Sequence, residues 1–73
     1  MDTIVFDFDG VIHRYNSGWQ GATVIPDLPV KGIGDAIRDI REDGYKVVVV
    51  STRCSEPGGI EAISGWLLEH DIG

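Results

Sequence analysis

Apolar residues fall in two kinds of run along this chain, and the contrast between them sets the reading of the fold. Residues 3–8, Thr-Ile-Val-Phe-Asp-Phe, form a β-branched and aromatic stretch closed by an acidic pair and Gly10, which predicts a buried strand. Tyr45-Lys46-Val47-Val48-Val49-Val50 is apolar without alternation, the pattern of a parallel strand covered on both faces. From Lys31 to Asp43 the apolar positions Ile33, Ala36, Ile37 and Ile40 recur at helical spacing, with Arg38, Asp39, Arg41 and Glu42 off that face. Gly44 ends this helix. A second helix is predicted from Gly59 to His70, with Ile60, Ile63, Trp66 and Leu67 sharing a face.

Residues 11–29 read differently. Asn16-Ser17-Gly18, Gly21, Pro26 and Pro29 mark a loop, within which Ala22-Thr23-Val24-Ile25 offers one arm of a small hairpin. Strand, helix, strand and helix in that order predict an α/β chain: a Rossmann-like βαβα unit with a right-handed crossover. Ligands of such sheets gather beyond the carboxyl ends of the strands. That edge receives both Asp7-Phe8-Asp9 and Ser51-Thr52-Arg53.

With 73 residues the chain is about half the ~150 of a common domain, so one small core is expected and no second domain. A 42% hydrophobic and 25% charged composition is that of a folded chain. Twelve acidic residues against six basic ones give a net charge of −6, which argues against docking an extended nucleic-acid backbone. A compact anion met through a metal ion stays open. Cys54 is the only cysteine, so an internal disulfide, a cysteine zinc site and a redox pair are excluded, and a reducing, cytoplasmic setting is expected. The start Met-Asp-Thr-Ile lacks a basic leader, and no apolar run approaches the ~20 residues of a membrane span.

Two carboxylates one residue apart at a strand end repel each other unless a cation or proton offsets the charge. Mg²⁺, which prefers oxygen ligands shared with a substrate phosphate, suits Asp7 and Asp9. Asp7 can then act as a carboxylate nucleophile on phosphorus, and Asp9 as acid and base. Gly10 permits a sharp turn close to a ligand. Ser51 and the amides after the second strand, Thr52 included, offer donors to phosphoryl oxygens, and Arg53 adds a cationic fork. His13, Arg14, Tyr15 and Trp19 read either as loop surface, with one aromatic tucked against the core, or as substrate contacts. Trp66 reads as core.

The text Ile-Val-Phe-Asp-Phe-Asp-Gly resembles the first motif of the haloacid dehalogenase-like (HAD) superfamily, and Val-Val-Val-Val-Ser-Thr-Arg resembles its second. The resemblance implies a Mg²⁺-dependent, capless phosphohydrolase of phosphomonoesters, nucleotide-type esters included, working through an aspartyl-phosphate. By motif match Asp7 is the nucleophile, Asp9 the acid/base and Ser51 a phosphate ligand. The Ser-x-Arg form, similar to that of polynucleotide 3′-phosphatases and small capless hydrolases, gives Arg53 a substrate contact. Residues 11–25 match the family's squiggle and flap. The resemblance covers residues 1–73 but only the first half of a family domain: the later lysine and acidic-pair motifs have no counterpart here. The alternative is therefore a non-catalytic, truncated or split HAD-like module. With neighbouring strands missing, the open edges of both strands imply a homo-oligomer or a complementing chain.

Overall fold

The computed structural model describes residues 2–72. Strand β1 (Thr3–Asp7) is followed by helix α1 (Ile33–Glu42), strand β2 (Lys46–Val50), a single 3₁₀ turn (Thr52–Ser55) and helix α2 (Gly59–Glu69). The two strands pair in parallel from Thr3 opposite Lys46 to Asp7 opposite Val50. This is a small α/β unit, compatible with part of a Rossmann-like sheet. Among the described residues no helix is long and apolar enough to cross a membrane.

Because successive strand residues point to opposite faces, the register puts Ile4, Phe6, Val47 and Val49 on one side and Val5, Asp7, Val48 and Val50 on the other. Phe6, Val47 and Val49 pack against a core of Phe8, Ile12, Ile37, Ile63, Trp66 and Ile72. Val5 and Val50 lie open to solvent. The sequence predicts strands buried on both faces, and this is corrected: with two strands and one packed face, no residue from Thr3 to Asp7 or from Lys46 to Val50 is fully buried. The aromatic that closes the core is Phe8, one residue beyond β1, whose ring meets Trp66 edge-on at 5.2 Å. Such pairs contribute about 0.5–1.5 kcal/mol beyond area burial.

Both helices form where the periodicity places them, each a little shorter. Ile37 of α1, and Ile63 and Trp66 of α2, face the core, whereas Ala36 and Ile60 are exposed. Gly58, at φ 77°, caps α2, and Gly59 abuts the Arg53 carbonyl so closely that a Cβ there would overlap it.

The segment 11–29 begins with a tight turn in which the Phe8 carbonyl accepts the N–H groups of Val11, Ile12 and His13. Gly10, at φ +85°, provides the left-handed step that this needs. The segment returns beside its own start, with Arg14 N–H donating to Leu28 O and Val30 N–H to Ile12 O. We call residues 14–29 the flap. The hairpin arm predicted at 22–25 does not form. The Ala22 and Val24 carbonyls accept bonds from Arg53, where a strand would have pointed them at a neighbouring strand.

Candidate functional site

The carboxyl ends of the strands carry two layers of polar groups. The outer layer is a shallow depression of about 600 Å³ lined by Val5, Asp7, Val50, Ser51 and Thr52. Asp7 lies opposite Val50, so Ser51 and Thr52 follow at the same strand end, and all three line the depression. Asp7 is exposed, and its Oδ1 accepts the Phe8 N–H at 2.9 Å, which fixes the side chain against the turn. Ser51 is extended, and its Oγ accepts the Arg53 N–H at 3.1 Å as the cap of the 3₁₀ turn. A serine hydroxyl that accepts in this way still has its proton to donate.

The inner layer is built on Arg53. Its side chain is fully buried. Nε donates to Asp9 Oδ2 at 3.0 Å and Nη2 to Asp9 Oδ1 at 3.1 Å, a forked ion pair. Nη1 turns the other way and donates to the carbonyls of Gly21, Ala22 and Val24 at 3.0, 3.1 and 3.0 Å. Phe8 and Trp19 lie along the guanidinium, their ring centroids 6.0 and 4.9 Å from Cζ.

His13 extends this layer. The Asp27 N–H donates to its Nε2 at 3.1 Å, and an amide can only donate, so Nε2 carries the lone pair. Nδ1 therefore holds the proton and donates it to Asp9 Oδ1 at 2.9 Å. The Asp27 carboxylate in turn accepts the backbone N–H and the hydroxyl of Ser17, and its carbonyl accepts the Trp66 indole N–H at 3.2 Å. Asp9, His13, Asp27 and Ser17 thus form one line from the strand end into the flap.

Partial burial pushes the Asp9 carboxyl upward, but the Arg53 and His13 hydrogen bonds and the Arg53 charge outweigh it, leaving the group below its ordinary range. For Asp27 the Ser17 hydroxyl is the largest influence and acts in the same direction, against desolvation. Both side chains are carboxylates at neutral pH.

The predicted site residues therefore separate. Asp7, Ser51 and Thr52 come together in the depression. Arg53 does not join them. The 3₁₀ turn that opens at Thr52 carries its guanidinium beneath the flap, where Asp9 and flap carbonyls take up its donors, so the expectation of a substrate-facing fork is corrected. Gly10 likewise has no free donor, because its N–H is bonded to the His13 carbonyl at 2.7 Å. Its part is the turn. His13, read from sequence as loop surface or substrate contact, is fully buried. Its spacing of four from Asp9 was the available signal, and Asp27 gave none.

The charge offset that the paired carboxylates demand is partly internal, since Arg53 neutralises Asp9. For a divalent cation the available donors are the Asp7 carboxylate and the Asp9 carbonyl, which takes no backbone hydrogen bond among the described residues. Two oxygen donors fit Mg²⁺, which keeps most of its waters. No set of three His, Cys, Asp or Glu side chains converges among the described residues. Comparison of the chain with protein-family models, with curated proteins and with solved structures returns no match.

Proposed function

We propose that the chain binds the phosphoryl group of a phosphomonoester in the Asp7–Ser51–Thr52 depression, as the first half of a HAD-like phosphohydrolase site working in the cytoplasm. The observation that carries this reading is the depression at the strand ends, lined both by a fixed, exposed carboxylate and by a serine whose hydroxyl has a proton to donate. In this reading Asp7 attacks phosphorus. The P–O bond to the organic group breaks as the Asp7–phosphorus bond forms, and water later releases phosphate and restores the carboxylate. Mg²⁺ would be held by Asp7 and the Asp9 carbonyl, and would offset the charge of the approaching anion.

Asp9, held as a carboxylate by Arg53 and His13, suits the base half of its role, taking a proton from the attacking water. The acid half requires Asp9 to gain a proton, which both partners oppose. This favours a second reading, a module that binds phosphate without turnover. Lys31 and Lys46, the only lysines, do not line the depression.

Mg²⁺-dependent binding of beryllofluoride, a phosphoryl mimic that bonds to carboxylates, tests the site by ¹⁹F NMR. Binding is expected in the parent, lost in Asp7→Asn and weakened in Ser51→Ala. Equal binding in all three overturns the proposal. Hydrolysis of 4-nitrophenyl phosphate then separates the readings: turnover abolished by Asp7→Asn supports the enzyme, and its absence alongside beryllofluoride binding supports the module.

A further inference from the structure

Trp19 is both exposed and held in place. Half of its surface, 51%, is open to solvent, while its ring rests 4.9 Å from the Cζ of the fully buried Arg53. The flap that carries it is tied down close by, through the Arg53 bonds to Gly21, Ala22 and Val24 and the Ser17 bonds to Asp27. Trp66 donates its indole N–H to Asp27 O, and Trp19 makes no such bond among the described residues. The result is a restrained aromatic ring with an outer surface and a polar handle both open to a ligand. A side chain already ordered loses little further entropy when something stacks on it.

Its position relates it to the chemistry. Asp9, the acid/base of the proposed reaction, contacts the leaving oxygen of the substrate, and Arg53 joins Asp9 to Trp19. Laid end to end, the Arg53–Asp9 hydrogen bond, one C–N bond and the cation–ring separation put the indole within about 9 Å of the Asp9 carboxylate. A planar group extending about that far from Asp9 toward the flap would reach this ring.

The geometry points to Trp19 as the stacking platform for the leaving group, so that the substrate is a phosphomonoester whose organic part carries a planar ring. The inference rests on the phosphoryl site proposed above. Nucleotides and simple aryl esters are the two sources of that chemistry, and Trp19 discriminates both from aliphatic phosphates.

The test compares binding of adenosine 5′-monophosphate, phenyl phosphate, ribose 5-phosphate, inorganic phosphate and adenosine, with Mg²⁺ present, by NMR titration of the two indole N–H resonances and of the backbone amides. Both ring-bearing esters are expected to bind about tenfold more tightly than ribose 5-phosphate, the scale of one stacked base, and to move the Trp19 resonance more than that of Trp66. A gain confined to the adenosine ester assigns the platform to nucleotides; a gain shared with phenyl phosphate assigns it to planar rings in general. Trp19→Ala should erase the preference and leave inorganic phosphate unaffected, while Trp19→Phe should keep most of it. Ring-bearing and ring-free esters binding the parent equally, with phosphate still bound, overturns the platform alone. Loss of phosphate binding with Trp19-dependent adenosine binding intact overturns the phosphoryl site and leaves the platform standing. Neither phosphate nor adenosine binding overturns both.

Discussion

Arg53 grips Asp9 across 44 positions of sequence with a forked pair of hydrogen bonds, and its remaining nitrogen gathers three carbonyls of the flap. One fully buried cation thus fastens the end of β1, the turn after β2 and the intervening loop to each other.

Removing that cation is expected to be costly. Arg53→Met would leave Asp9 with the His13 donor alone and take the Arg53 donor from three flap carbonyls, and breaking a buried pair from one side costs about 3–5 kcal/mol. A chain of this size has about that much stability in total, so the variant should be largely unfolded by circular dichroism. Arg53→Lys should rescue little, since a point ammonium cannot serve carboxylate and carbonyls on opposite sides. In a double-mutant cycle run with a stabilising osmolyte to keep the variants folded, Asp9→Asn should cost much less in the Arg53→Lys background than in the parent. Additive losses would contradict the pairing.

The same pair sets an acid limit. The Asp9 carboxyl is lowered in the folded chain from an ordinary value of 3.8, so the unfolded state binds its proton first as pH falls. Its contribution to stability is complete above the unfolded value and declines below about pH 4, disappearing as the folded value is passed. Urea midpoints from pH 6 down to pH 2.5 should fall more steeply in the parent than in Asp9→Asn, and parallel curves would refute the assignment.

Two glycines of α2 should respond in opposite ways to alanine. At Gly59 a Cβ overlaps the Arg53 carbonyl, and overpacking against backbone costs about 1–3 kcal/mol or more. At Gly65 a Cβ meets nothing within 4 Å, and alanine gains up to about 1 kcal/mol of helix propensity. Thermal melts of the two variants check the signs.

The exposed Val5 and Val50 and the open strand edges imply association. Sedimentation across a concentration series is expected to show a dimer, with a melting temperature that rises with concentration. A monomer that melts cooperatively at micromolar concentration would rule this out.

The order of elements was legible because the strands are short unbroken apolar runs and the helices carry apolar residues at three-and-four spacing, and the outer site because both motifs end strands. Burial was less legible. Val47 to Val50 read as doubly covered, since an apolar string records what a strand tolerates and not how many layers this chain can supply. The destination of Arg53 was hidden for a related reason. Its chemistry fits a phosphate or a carboxylate equally well, and only the three-dimensional return of residues 21–24 decides between them. His13 and Asp27 were invisible as partners because their bond joins a ring nitrogen to a backbone amide, which any residue but proline could supply at position 27.

Arg53 also gives the chain an order of assembly. Residues 21–24 have no helical or strand partner of their own, and the guanidinium that gathers their carbonyls arrives only after α1 has closed β2 onto β1. Loop closure must precede that reward, so the flap is expected to settle last and loosen first, which earlier amide exchange in the flap than in β1 and β2 would show. When it opens, Arg53 loses three acceptors at once and its grip on Asp9 is exposed to water. Loosening of the flap and loosening of the inner site are one cooperative event.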